Sequence, residues 1–309
     1  MRVFVAGAAG AIGRPLLAQL AEAGHEVTGT TRNPRRASRI RAAGGIPVVL
    51  DVFDAAAVEE AVAAARPEVL VVQLTSLPER YDPRSIDYGP TNRVRVEGGA
   101  NLLAAAAAAG VRRVITQSIA FLYAPEGDRV KDEEARPFTD APEPFASAVA
   151  ATLEGERIFL ETEMEGVVLR YGWFYGPATY YAYDGNVADE VRRRRVPIVG
   201  DGSGVFSFVH VEDAAAATVA AAANGEPGVY NVCDDDPAPM RDWLPYFART
   251  IGAKRPFRVP AWLARPVAGA FTITMATELH GASNAKAKRD LGWTPRYASW
   301  RQGFREALG

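Results

Sequence analysis

The sequence predicts an α/β fold built on a doubly wound parallel sheet, with a smaller domain toward the C-terminus. Two observations carry this. Short, β-branched apolar runs alternate with alanine-rich helical runs through the first half of the chain, and strands separated by helices join as parallel β-α-β units. The first such run, Val3–Ala6, leads into glycines at 7, 10 and 13 and then into the helical stretch Arg14–Ala23. Strand, glycine-rich turn and helix in that order make a dinucleotide-binding turn, which marks the sheet as Rossmann-type.

Each residue of that turn has a physical task. Gly7 takes the positive φ needed to leave the strand, and Gly10 lets backbone N–H groups approach a diphosphate. Gly13 lets helix and strand pack without an intervening Cβ; the anion then sits on the helix N-terminus, with Ala11 and Ile12 among the expected cofactor contacts.

The remaining strands are read at Glu26–Thr31, Pro47–Leu50, Val69–Leu74, Arg113–Gln117 and Val167–Arg170. Right-handed crossovers gather the loops after these strands around one crevice. After the second strand stand Thr31 and Arg32, with Arg35 and Arg36 close by. An acidic residue there would hold a ribose 2′-hydroxyl; arginine favours a 2′-phosphate, so NADP(H) is expected over NAD(H). After the third strand, Asp51 either holds an adenine amino group beside Val52 or caps a turn. Leu74, Thr75 and Ser76 follow the fourth strand and are expected along the cofactor. Ser118, after the fifth, is expected toward the nicotinamide end.

Beyond the sixth strand the texture becomes aromatic and Gly/Pro-punctuated over Tyr171–Tyr183, followed by the basic run Arg192–Arg195. A helix around Ala214–Ala223 and a strand at Gly228–Val232 return the chain to the sheet. The expected organisation is a cofactor-binding domain over residues 1–176, with a return around 206–233, and a mainly substrate-binding domain over 177–309. No period of a repeat protein recurs.

Composition narrows the function. A chain of 309 residues with 48% hydrophobic content has ample material for a core, and a net charge of -2 gives no pull toward nucleic acid or anionic membrane. Apolar stretches such as Asn101–Val111 are too short to span a bilayer. Residues 3–12 resemble a signal-peptide core, but Arg14-Pro15 stands where a small-residue cleavage site should lie. Cys233 is the only cysteine, and His25, His210 and His280 are far apart in sequence, so neither a disulfide nor a metal site is expected. Cys233 follows a strand and reads as a buried thiol, and the setting as reducing and cytoplasmic.

Several segments together carry a family resemblance. They are Gly7–Gly13, Asn92 leading into Gly98–Ala106, Gly110–Ser118, Arg170–Pro177, Gly200–Gly204, Phe208–Asp213, Gly228–Val232 and Asn284–Trp293. In this order the chain resembles an extended short-chain dehydrogenase/reductase of the NAD-dependent epimerase/dehydratase family. The resemblance implies a small-molecule substrate, cofactor contacts from Asn92, Gln117, Tyr171, Gly172 and Phe174, and a homodimer formed through helices over Asn92–Ala109 and Phe145–Glu161.

It also implies a Tyr-x-x-x-Lys pair, in which lysine lowers the tyrosine pKa for proton exchange with the substrate oxygen. None of the 11 tyrosines has lysine four residues on. Alignment of Pro144–Val149 with the family segment puts Phe145 at the tyrosine position and Val149 at the lysine position. Ser118 matches the first serine of the family's pair and Ile119 the second. Ser118 is thus either a substrate contact or a loop hydrogen bond.

Other donors must then serve the reaction, and the candidates are Ser118, Tyr123, Tyr175 and Tyr180, with Gln73 nearby. A phenol is a poor acid–base group at neutral pH but an adequate hydrogen-bond donor. Tyr175 is also read as a packing residue, and Tyr180, Tyr181 and Tyr183 as either an aromatic wall or a packed loop. His210 is read as structural, Asp213 as a helix cap, Arg192–Arg195 as a solvated face and Asp234–Asp236 as a turn. The function expected is an atypical NADP(H)-dependent oxidoreductase acting on a carbonyl or alcohol of a small or medium organic substrate. The alternatives are a non-catalytic NADP(H)-sensing regulator or scaffold, and an epimerase, lyase or cyclase acting on a nucleotide sugar or other metabolite.

Overall fold

A computed structural model describes residues 1–82 and 85–308. Its centre is a seven-stranded sheet made of β1 (Arg2–Ala6), β2 (Glu26–Thr31), β3 (Ile46–Val49), β4 (Val69–Val72), β5 (Arg113–Ile119), β6 (Glu165–Tyr171) and β7 (Gly228–Val232). The spatial order is β7-β6-β5-β4-β1-β2-β3, and every neighbouring pair is parallel. The order reverses at β1, which lies between β2 and β4, so a crevice opens at their C-terminal ends.

The central strands β1 and β4 are apolar on both faces because both faces are covered. Along β1, Val3 and Val5 join one core with Leu16, Leu17 and Leu20 of α1 (Gly13–Glu22). Phe4 and Ala6 join the opposite core with Val58 and Val62 of α2 (Ala55–Ala65), Leu102 and Ala106 of α3 (Gly99–Ala108) and Phe159 of α4 (Phe145–Leu160). Side chains of a strand alternate between faces, so a sheet buried on both sides reads as a continuous apolar run.

Strand ends depart from the sequence reading in a way that matters for the site. β5 continues to Ile119 because it pairs with β6 through Ser118↔Arg170 and Ile119↔Tyr171. Gln117 and Ser118 therefore sit on the strand itself, with fixed side-chain directions. β4 ends at Val72, and the segment from Gln73 leaves as a loop.

Asp213 does not cap the helix that returns the chain to the sheet. In α5 (Val211–Ala223) the cap is His210, whose Nδ1 accepts from the Glu212 N–H at 3.2 Å. Asp213, inside the first turn, instead accepts from the Arg296 and Tyr297 N–H groups at 2.8 and 3.0 Å. An aromatic core beyond the strand ends holds Trp173, Tyr181, Phe208, Trp243, Phe247 and Phe304. The strand Trp173–Tyr175 feeds it by pairing in parallel with Phe208–His210.

Candidate active site

The glycine turn has the geometry its sequence predicts. Gly7 has φ +89°, and a Cβ there would stand 2.4 Å from the Gln73 carbonyl oxygen; at Gly13 a Cβ would meet the Ala8 carbonyl oxygen at 2.5 Å. No side chain caps the N-terminus of α1. Gly10, Ala11, Ile12 and Gly13 there line a cleft of about 860 Å³.

Thr75, Gln117, Ser118, Tyr171, Gly172, Phe174 and Tyr180 also line this cleft. Gln117 Nε2 donates to the Leu74 carbonyl at 2.8 Å. Gln73 Nε2 donates to the Tyr171 hydroxyl at 2.9 Å, while Gln73 Oε1 is buried without a partner at the cleft wall. Gly172 is tight by necessity, since a Cβ would lie 2.5 Å from the Ser207 carbonyl oxygen.

Several sequence candidates do not reach the cleft. Leu74 packs on Gly7 instead, with Cδ2 3.3 Å from where a Cβ would stand. Val52 packs against Gly98 and accepts from Asn101 Nδ2 at 2.8 Å. Asp51 is exposed and accepts from the Phe53 N–H at 3.1 Å, the turn role left open for it. Asn92 faces α4, with Nδ2 3.4 Å from the Ser147 carbonyl. Thr31 is buried and its hydroxyl accepts from the Asn33 N–H at 3.2 Å. Arg32 and Arg35 are exposed beside the turn, and Arg36 is the arginine of this segment that lines the cleft.

Two phenols proposed as donors are packed away for stated reasons. Tyr175 is fully buried with no hydrogen-bond partner, against Gly303, where a Cβ would lie 1.8 Å from its hydroxyl. Burial pushes its pKa far up. Tyr123 donates to Asn231 Oδ1 at 2.7 Å and accepts from Arg170 Nη1 at 3.1 Å, and burial pushes its phenol up to about 12. Tyr180 does line the cleft, but its hydroxyl donates to the Pro78 carbonyl. Tyr181 joins it at the cleft and in the aromatic core, and Tyr183 is exposed beneath Arg192.

Ser118 is the polar candidate at the cleft floor, and its hydroxyl donates to Glu156 Oε1 at 2.5 Å. Glu156 is in turn held by the Arg170 fork, Nε at 2.8 Å and Nη2 at 2.6 Å, with both side chains about 5% exposed. Phe145, the first residue of α4, lines the cleft and stacks between Phe121 at 6.4 Å and Phe271 at 5.1 Å. Val149, one turn on, is fully buried.

The aromatic wall is broader than Tyr180–Tyr183. Phe121 stacks on Trp173 at 4.2 Å, and Tyr81 lies 5.6 Å from Tyr180. The loop carrying Tyr81 is clamped across the cleft by Asn186, which accepts from the Tyr81 N–H at 3.1 Å and donates to its carbonyl at 2.9 Å.

The sequence reading placed Arg36 beside the 2′-phosphate position and missed Glu156, Tyr81, Tyr88 and Arg95. Arg95 lies one helical turn beyond Asn92, in the π-helical turn Val94–Gly98, and lines the cleft. No local signal distinguished it from other arginines in a helical run. Among the described residues, no helix is long and apolar enough to cross a membrane.

Comparison with known proteins gives four findings. The NAD dependent epimerase/dehydratase family matches residues 3–233. A 3-diazoavenalumate denitrifying reductase from a Streptomyces species is 47% identical over 98% of this chain and 99% of its own length. A ketoreductase from Stigmatella aurantiaca, named for a farnesylated dihydroquinoline-1-oxide, is 28% identical over 96% of this chain and 92% of its own. Among solved structures, a UDP-glucose 4-epimerase from Thermus thermophilus in complex with NAD superposes with TM-score 0.74 and 26% identity, covering 100% of this chain and 98% of that one.

Proposed function

The chain belongs to the NAD-dependent epimerase/dehydratase family, and from that premise we propose that it is an NADP(H)-dependent reductase of a small or medium organic substrate, working without the family's Tyr/Lys pair. One observation carries this reading. A single cleft runs from the open N-terminus of α1 to a floor where Ser118 stands among aromatic side chains. Two of its relatives are themselves named reductases.

The chain fits the cofactor. Gly7 and Gly13 let the turn fold tightly on the backbone at Gln73 and Ala8, where a Cβ would clash, and the orphaned Gln73 Oε1 offers an acceptor beside the strand ends. The α1 N-terminus would hold the diphosphate. Arg32, Arg35 and Arg36 are exposed and in no ion pair among the described residues, so they are available to a 2′-phosphate. NADPH, when bound, supplies a hydride.

The chain's own residues supply orientation and exclusion of water. Phe121, Phe145 and Trp173 present flat apolar faces to a planar substrate. Ser118 is oriented by Glu156, and Arg170 holds that carboxylate in place. A phenyl ring at Phe145 exchanges no proton, so the proton that turns a reduced carbonyl into an alcohol comes from another donor at the cleft, the Ser118 hydroxyl or solvent, while hydride addition to a cationic nitrogen centre needs none. The proposal includes a division into cofactor and substrate domains, a homodimer and a cytoplasmic location.

The test pairs affinity with turnover. Purified protein is expected to bind NADP at least about ten-fold tighter than NAD, with Arg32→Ala eroding the difference. It is also expected to oxidise NADPH with members of a panel of aromatic carbonyl and diazo compounds. Tight NADP binding with no oxidation on any substrate would overturn the reductase reading in favour of a cofactor-sensing role.

A further inference from the structure

Arg95 presents a positive charge to the cleft that the protein itself leaves without a partner. It is partly buried, its Nε is shielded from solvent, and the guanidinium has no hydrogen bond or ion pair among the described residues. The carboxylate that acts on it is that of Glu156. Yet Glu156 is already neutralised by the bidentate fork of Arg170, and its Oε1 also accepts from Ser118. Arg95, Arg170 and Glu156 thus leave one cation in excess at the cleft floor.

Such an arrangement is expensive unless something completes it, because a shielded, unpaired ion loses hydration without recovering it elsewhere. The backbone supports a defined position for this side chain. A π-helical turn inserts an extra residue into the helical run and re-aims the side chains on it, and such turns recur at functional sites. The turn also packs on α4, where Arg95 Cβ lies in ordinary van der Waals range, 3.5 Å, of the position a Cβ on Gly155 would take. Burial draws the Arg95 pKa down to about 10, against the opposing pull of Tyr88 and Glu156, so the side chain is charged at neutral pH.

We propose that Arg95 is the anchor for a carboxylate on the substrate, and that the substrate is an aromatic acid whose ring lies against Phe121 and Phe145. The planar guanidinium fork matches a carboxylate in shape and hydrogen bonds. One excess cation balances one carboxylate, whereas a nucleoside diphosphate would call for more. The stacked rings of Phe121, Phe145 and Trp173 supply the apolar half of the site. This rests on the reading of the cleft as the substrate site and adds the class of substrate it takes.

The test uses trans-cinnamate and its uncharged isostere trans-cinnamamide, titrated calorimetrically into the full-length protein with saturating NADP. The acid is expected to bind about ten-fold or more tightly than the amide, since a charge-assisted pair is lost in the amide. Arg95→Gln should abolish that preference while leaving NADP affinity intact, and Arg95→Lys should restore part of it. Equal binding of acid and amide by the wild type, undiminished acid binding by Arg95→Gln, or no saturable binding of cinnamate would each overturn the inference. If Arg95→Gln does not fold, the wild-type comparison of acid and amide decides alone. Absence of NADPH oxidation would count against the reductase reading while leaving an acid-over-amide preference standing. Turnover without that preference would overturn only the carboxylate anchor.

Discussion

The Ser118 hydroxyl donates to Glu156 at 2.5 Å, and through this contact the cleft floor on β5 is tied to a buried ion pair between α4 and β6. The sheet pairing Ser118↔Arg170 sets two members of the network on adjacent strands, and Glu156 reaches both from above. A polar side chain on the substrate side is thereby held by charges wholly inside the protein.

Breaking that network from one side should be severe. Arg170→Met leaves the Glu156 carboxylate buried and unpaired, and is expected to lower unfolding free energy by about 3–5 kcal/mol in urea titrations. The double variant Glu156→Leu/Arg170→Met should be less destabilised than Arg170→Met alone, because no charge is stranded. Additive losses would show that the two side chains do not act as a pair.

Tyr175 should prove a packing residue. Its hydroxyl is buried without a partner, so Tyr175→Phe is expected to leave stability equal or improved and NADPH oxidation unchanged. Gly303→Ala, which sets a methyl group 1.8 Å from that hydroxyl, should lose about 1–3 kcal/mol by overpacking. Combining the two substitutions should recover part of the loss, measured as the shift in thermal midpoint.

Gly7→Ala should disable cofactor binding more than folding. The residue has φ +89° and a Cβ would press on the Gln73 carbonyl, so the turn must move. The expected result is a fall of about ten-fold or more in NADP affinity by fluorescence titration, with the chain still folded by circular dichroism.

His210 predicts a pH dependence of stability. Burial pulls its pKa below 6.5, and its Nδ1 must be unprotonated to accept from Glu212. The unfolded chain therefore binds the proton more readily than the folded one. The stabilising contribution is complete above about 6.5 and is lost as pH falls toward the lowered folded pKa. His210→Asn keeps a capping side chain but removes the titration. Its thermal midpoint should fall less steeply than the wild type's as pH is lowered from 7 to 5; equal slopes would exclude His210 as the source.

Much of the architecture was legible in the chain. Apolar runs with helices between them specify a parallel sheet because only a sheet covered on both faces buries every residue of such a run. The turn at Gly7, Gly10 and Gly13 was legible because its constraint is local: φ and Cβ clashes act within a few residues. Ser118 was placed at the cleft for a related reason, since it ends a recognised strand.

The identity of the remaining site residues lay beyond any local signal. Tyr123 and Tyr175 carry the same phenol as Tyr81 and Tyr88, and nothing in sequence tells a cleft-facing ring from a buried one. Packing against Asn231 and Gly303 decided it. Asn92 and Arg95 occupy one helical run, and the π-helical turn seated on α4 sends the first toward Ser147 and the second into the cleft. The sequence by itself determined a parallel sheet, a dinucleotide turn and the absence of a Tyr-x-x-x-Lys pair, because each is written in neighbouring residues. Only the tertiary structure decided that Glu156 is spoken for by Arg170 and that Arg95 is not, because charge compensation depends on which distant side chains meet in the folded chain.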